Sequence, residues 1–178
     1  CYAPNIDMEW PSYYWADKAA FQQDAILTGG NNNAYFLANQ CINNQKRDRI
    51  YGNVTMKADI IKGLDLTVRG GLDVTSDFRT QRQATSSKSK PNGWYREQDI
   101  DSKQYSGSFL FKYNTRFAHD FHLTANFGGS IIWRSYGNHS QRVTALKIPG
   151  VYSLANAADE PLTNNSGYER QTNSLYGM

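Results

Sequence analysis

No run of about eighteen apolar residues occurs anywhere in the chain, so no helix of it is expected to cross a bilayer. Membrane strands need only about ten residues each, and this absence says nothing against them. Cysteine is almost missing: Cys1 and Cys41 are the only two. They are too few for a disulfide framework and lack the spacing of a metal site, leaving at most one optional bridge. The three histidines, His119, His122 and His139, are joined by no Cys or carboxylate cluster, and a solvated turn is the favoured reading of the first two. Charge of one sign is nowhere concentrated. The net +3 arises from 19 Lys and Arg interspersed with 16 Asp and Glu, without the long basic block that a nucleic-acid surface needs. Also missing are Gly-x-Ser-x-Gly, a Cys/His pairing and a phosphate-cradling glycine loop, so neither catalysis nor a cofactor or metal is expected. Asp99 and Asp101 are two acids in a polar stretch, but nothing positions them for glycoside hydrolysis, and a solvated loop accounts for them. The N-terminus shows no charged segment followed by an apolar run, as expected where a signal peptide has been removed or where the chain begins internally. Cys1 admits a third origin, the lipidated cysteine of a mature lipoprotein.

What the chain has instead is aromatic and polar at once. Aromatics make up 13% of its 178 residues, twelve of them Tyr, while Asn, Gln, Ser and Thr abound and the mean hydropathy is well below zero. Such a chain is too polar for a large buried core and too aromatic for disorder.

Two regions differ in pattern. Residues 1–48 hold the cluster Trp10, Tyr13, Tyr14 and Trp15, a helix-compatible stretch over 17–26, and the turn-rich run Gly29-Gly30-Asn31-Asn32-Asn33. This region reads as a long, partly ordered loop preceding a strand. Over 49–178 strict alternation takes over. Ile50, Gly52, Val54, Met56, Ala58 and Ile60 are small or apolar, and Arg49, Tyr51, Asn53, Thr55, Lys57 and Asp59 between them are polar or amphipathic. Lys62-Gly63 predicts a tight reversal. A second strand then sets Leu64, Leu66, Val68, Gly70, Leu72 and Val74 against Asp65, Thr67, Arg69, Asp73 and Thr75.

A third strand sets Tyr105, Gly107, Phe109, Phe111, Tyr113 and Phe117 against Ser106, Ser108, Lys112, Asn114 and Arg116, with Leu110 the one break. After a short turn at 118–120, a fourth sets Phe121, Leu123, Ala125, Phe127, Gly129, Ile131 and Trp133 against His122, Thr124, Asn126, Gly128, Ser130 and Arg134. Residues 171–178 read as the opening of a fifth. Gly70-Gly71 and Gly128-Gly129 inside strands fit bending and close packing.

The expected connections alternate between tight, at 62–63 and 118–120, and long, at about 76–104 and 140–170. An antiparallel outer-membrane β-barrel has this asymmetry, with short periplasmic turns and long extracellular loops. The apolar faces are about ten residues long and carry aromatics near their ends (Tyr105, Phe117, Phe121, Trp133), where interfacial girdles belong. The charges of the other face would be very costly in hydrocarbon and call for a wet interior. An amphipathic sheet of a soluble protein shows the same alternation strand by strand. Strand length well above the usual five or six residues, rim asymmetry and aromatic ends favour the barrel. Four strands and the start of a fifth cannot close, since small barrels need about eight, so part of a larger barrel is expected.

Specific phrases carry a resemblance. Asn33-Ala34-Tyr35-Phe36-Leu37-Ala38-Asn39, then Lys46-Arg47-Asp48-Arg49-Ile50-Tyr51-Gly52-Asn53-Val54, resembles the barrel of SusC-like TonB-dependent transporters, in which an Asn-Pro-Tyr stretch precedes a basic segment and a strand opening Arg-Ile/Val-x-Gly-Asn. Ala34 departs from that Pro. Leu64-Asp65-Leu66-Thr67-Val68-Arg69-Gly70-Gly71-Leu72-Asp73 is similar to the family's next strand, and Ser174-Leu175-Tyr176-Gly177-Met178 to the start of a later one. The resemblance spans about residues 33–178. It implies an internal piece of a plugged barrel of 22 strands in the outer membrane, energised by the TonB complex through parts not seen here. It further implies import of oligosaccharides or peptides with a SusD-like surface lipoprotein as lid.

Trp10, Tyr13, Tyr14, Trp15, Trp94, Tyr95 and Tyr152 fall in the expected extracellular segments, where exposed rings stack on sugars or pack on a lid protein. Packing inside the loops is an equal alternative. Two other functions stay open beside transport: a surface lipoprotein β-domain that binds glycan or another nutrient, and an enzyme on a soluble sandwich.

Overall fold

Long strands, each paired with its neighbours in sequence, dominate the computed structural model, which describes residues 13–17, 21–22, 32–117 and 121–178. A two-stranded ribbon comes first, β1 (Trp15–Asp17) with β2 (Phe21–Gln22), followed by the helix α1 (Ala34–Gln40). The five-stranded sheet then follows in the order β3 (Asn43–Ile61), β4 (Leu64–Thr85), β5 (Asn92–Phe117), β6 (Phe121–Val143) and β7 (Leu162–Gly177). The fold is thus all-β, one antiparallel sheet consistent with part of a barrel. None of its described helices is long and apolar enough to cross a membrane.

The tight turn sits where Lys62-Gly63 predicts it. Gly63 has φ +88°, the left-handed region open to glycine, and its carbonyl accepts from Asn114 N at 2.7 Å. A Cβ at Gly63 would run into the Asn114 carbonyl, so no other residue fits this turn without movement.

Strand extents depart from the sequence reading. The expected long loop at 76–104 is mostly strand: β4 continues to Thr85 and β5 starts at Asn92, leaving a short connection at 86–91. Trp94 and Tyr95 therefore lie in a strand rather than in a loop. β3 begins at Asn43, inside the expected 1–48 loop region, and β7 at Leu162, well before 171, so the expected loop at 140–170 shrinks to 144–161. The physical reason is common to all. Backbone ladders need no apolar side chains, so a strand that meets water on both faces loses its alternation and keeps its hydrogen bonds. The helix expected over 17–26 is replaced at Asp17 by the end of β1 and at Phe21–Gln22 by β2, and 18–20 and 23–26 lie outside the described residues. The expected turn at 118–120 lies outside them as well.

The chain divides into two compact units. Arg47–Ser76, Ile100–Asn138 and Ser166–Met178 make a unit of sheet with two unlike faces. Asn126 and Met178 exchange both backbone hydrogen bonds, at 2.8 and 3.0 Å, and Tyr136 faces Tyr168 in the same register, so no bulge intervenes. One face is apolar and bare: Val54 is 69% exposed, Met56 70% and Leu175 75%, with Phe127 and Ile131 about half so. Tyr105 packs on Trp133 at 5.3 Å between ring centres, and Phe109 on Phe127 at 5.9 Å.

The other unit holds Cys1–Lys46, Asp77–Asp99 and His139–Asn165. Its small core is Tyr95, Val143, Leu146 and Ala157, with Tyr152 and Leu154 packed against it. Asn156 ties the 144–161 connection together, its amide donating to the carbonyls of Ile148 (2.8 Å) and Val151 (2.7 Å) while its Oδ1 accepts from Ile148 N. In α1, Asn33 caps the N-terminus by accepting from Tyr35 N at 2.9 Å, and Phe36 is fully buried with its ring edge-on to Tyr14 and Trp15.

Candidate functional site

Alternation along the strands of the sheet unit collects polar side chains on one face. There the Arg49 guanidinium donates twice to the Asp73 carboxylate, at 2.9 and 2.7 Å, across β3 and β4. Arg69 donates to Thr55 Oγ1 (3.2 Å), Arg134 to Gln104 Oε1 (2.7 Å), and Thr124 to Asn114 Oδ1 (2.9 Å). These are cross-strand pairs, each filling an acceptor with a donor on the neighbouring strand. Gly71 leaves room among them: a shallow cleft of about 210 Å³ opens between Tyr51, Asn53, Asp73, Gln104 and Ser106. Farther along β6 the Tyr136 and Tyr168 rings stack at 5.6 Å. Every one of these groups is a hydrogen-bonding or stacking surface, and none is a nucleophile set against a base.

Clefts also open among the described residues of the other unit. One, of about 330 Å³, is lined by Arg96, Ser140, Arg142, Leu162, Thr163 and Asn164. A second, of about 360 Å³, is lined by Glu97, Asp99, His139, Gln141, Thr163 and Asn165, and there His139 Nδ1 lies 3.2 Å from Asn165 Oδ1. At the start of β3 and the middle of β4, the buried Asp77 carboxylate accepts from Gln45 Nε2 at 2.7 Å and from Arg79 at 2.8 Å. The paired, hydrogen-bonded charge holds those strands in register.

Among the described residues the aromatic candidates come together in two pairs, Tyr95 with Tyr152 (ring centres 6.5 Å apart) and Tyr14 with Trp15 (5.5 Å). Tyr95 is buried, 8% exposed, and its hydroxyl donates to Glu97 at 2.8 Å; burial, and next Glu97, push its pKa up to about 12. Tyr152 is half-buried under the Arg82 guanidinium, 4.7 Å above its ring, and burial raises its pKa against the opposing pull of Arg82. Trp94 is partly exposed. Tyr14 and Trp15 lie against Phe36, with the Tyr14 hydroxyl accepting from Gln40 at 3.0 Å, whereas Tyr13 is 69% exposed. Trp10, His119 and Cys1 lie outside the described residues. Cys41 is a free, partly buried thiol whose pKa is raised by burial. Sequence reasoning missed the Arg96–Arg142 cleft, because only the register of β5 on β6 brings those two residues together.

No protein-family model and no curated protein matches the chain by sequence. Solved structures do match its fold. The RagAB peptide transporter superposes with a TM-score of 0.72 at 18% identity, covering 82% of this chain and 17% of that one. The RagAB peptide importer in its closed-closed state gives the same figures. In its open-open state the TM-score is 0.66 at 17% identity, with 81% of this chain and 16% of that one covered. The chain spans less than a fifth of those chains, as the 17% and 16% figures state. At such identity the likeness is one of fold.

Proposed function

We propose that the chain forms part of the wall of a TonB-dependent outer-membrane transporter that imports oligosaccharides or peptides, working with a SusD-like surface lipoprotein. The observation that carries this reading is the two-sidedness of the sheet unit. An apolar face of exposed Val54, Met56, Phe127, Ile131 and Leu175 lies opposite a face of paired Arg49, Asp73, Arg69 and Arg134. In water the first would be an aggregation hazard, whereas in a bilayer it is the surface a barrel strand needs. Strands of 19 to 26 residues for β3 to β6 outrun the ten or so that cross the hydrocarbon, leaving polar ends to project beyond it. The likeness to the RagAB importer supports the same reading.

In this reading the connections at 86–91 and 144–161 face the cell exterior, the paired polar face lines the wet interior, and the chain performs no catalysis. Exposed Tyr13 and partly exposed Trp94 are the aromatic candidates with ring surface left for a sugar or a lid protein. Tyr14, Trp15, Tyr95 and Tyr152 would then shape the segments that carry them, and Trp10 keeps its place as a substrate or lid contact. Fractionation of cells that express the full-length protein tests the proposal. Recovery in the detergent-soluble outer membrane, together with co-purification of a lipoprotein and TonB-dependent uptake of a peptide or oligosaccharide, is the expected outcome. Recovery as a folded protein in the aqueous fraction contradicts it.

A further inference from the structure

Arg96 and Arg142 stand directly opposite one another on β5 and β6. Leu146 N donates to Asn92 O at 2.9 Å and Arg134 donates to Gln104, contacts of one offset on either side of the two arginines, which so fall opposite each other with side chains on one face. Both line the same cleft of about 330 Å³ with Ser140, Leu162, Thr163 and Asn164. Like charges directly opposite each other destabilise a sheet. Three other strand arginines meet acceptors, Arg49 with Asp73, Arg79 with Asp77 and Arg134 with Gln104, and Arg82 lies over the Tyr152 ring. Arg96 and Arg142 have no ion-pair or hydrogen-bond partner among the described residues, and no carboxylate lines their cleft. The acids nearest in sequence, Glu97 and Asp99, line the other cleft. Ser140 and Arg142 share the parity of Thr124 and Arg134 on β6, which is that of its polar face.

The geometry points to a carboxylate-binding subsite in this cleft, in which Arg96 and Arg142 grip one anionic group of an imported substrate. Two planar guanidiniums bring forked donors that match a carboxylate, and the Ser140 hydroxyl and the Asn164 amide supply further polar contacts around it. Bound anion would offset the repulsion between the two cations, so selectivity follows from the pair rather than from either alone. This inference rests on the transporter reading and narrows it to substrates bearing a carboxylate, whether a peptide C-terminus or a uronic acid.

The test uses the full-length protein, purified from the outer membrane in detergent, with binding measured calorimetrically. The probes are an N-acetylated pentapeptide of neutral side chains with a free C-terminal carboxylate, the same peptide as its C-terminal amide, a digalacturonate and its methyl ester. The free acid of one pair should bind about tenfold or more tighter than its capped form, and Arg96→Gln and Arg142→Gln should each abolish that preference. Which pair shows it identifies the source of the carboxylate. Arg142→Lys, which keeps the charge and removes the fork, should retain only part of the preference and guards against a Gln variant that fails to fold. If capped and free forms bind equally, or the preference survives both Gln variants, the subsite is refuted while transport stands. If no probe binds and no TonB-dependent uptake occurs, the transporter reading falls and the subsite with it.

Discussion

Arg49 on β3 and Asp73 on β4 meet through two hydrogen bonds of 2.9 and 2.7 Å, one to each carboxylate oxygen, although both side chains remain substantially open to solvent. The fork geometry fixes one strand against the next. Openness limits the energy, since exposed pairs are screened by water and salt. Asp73→Asn is therefore expected to lower the thermal midpoint of the purified protein slightly, and the difference from wild type should shrink as salt is raised towards about 1 M. A salt-independent difference would mean that the pair is held in a drier environment than the structure gives it.

Glycine is required at one position and optional at another. Gly63→Ala forces a Cβ into the Asn114 carbonyl at φ +88° and is expected to cost about 1–2 kcal/mol or more, read from denaturant unfolding in detergent. Gly52→Ala meets nothing within 4 Å and should change stability by less than about 1 kcal/mol. Equal effects at the two sites would contradict the turn geometry.

The bare apolar face sets a third expectation. Val54→Arg places a cation where the proposal puts hydrocarbon, at a cost of about 2–4 kcal/mol near the bilayer midplane. Asn53→Arg, one residue away on the polar face, should be tolerated. Folding yield into vesicles, followed by the mobility shift of the unheated protein on a gel, separates the two.

Tyr95 gives a pH dependence. Its hydroxyl is buried and donates to Glu97, and its pKa stands at about 12 against an ordinary value of 10. Because the folded state holds the proton more tightly, the contribution is complete below about pH 10 and is lost as the pH rises from 10 to 12. Spectrophotometric titration should show a late-ionising tyrosinate component that Tyr95→Phe diminishes. Ionisation of that residue with the exposed tyrosines would contradict its burial.

The faces of the central strands and the turn at Gly63 were legible in the sequence because alternation and glycine report directly on burial and backbone. The strand ends were not. Ser76 to Thr85 and Asn92 to Gln104 carry polar residues on both faces, and pairing there rests on backbone hydrogen bonds that side-chain patterns do not record. The helix Ala34–Gln40 is seven residues long, held by the Asn33 cap and the single buried Phe36, too short for periodicity to declare it. Tyr95 with Tyr152, and Arg96 with Arg142, are joined by chain separations that only strand register and the 144–161 connection can close.

Single-cysteine labelling along β3 tests the two-faced strand most directly. In full-length protein with Cys1 and Cys41 replaced, cysteines are placed one at a time at positions 50–60 and exposed in native membranes to a water-soluble maleimide. Tyr51, Asn53, Thr55, Lys57 and Asp59 should label, while Ile50, Val54, Met56 and Ile60 stay shielded by lipid and become reactive once the protein is unfolded. Equal labelling at even and odd positions in the native state would place both faces in water and end the membrane-barrel interpretation.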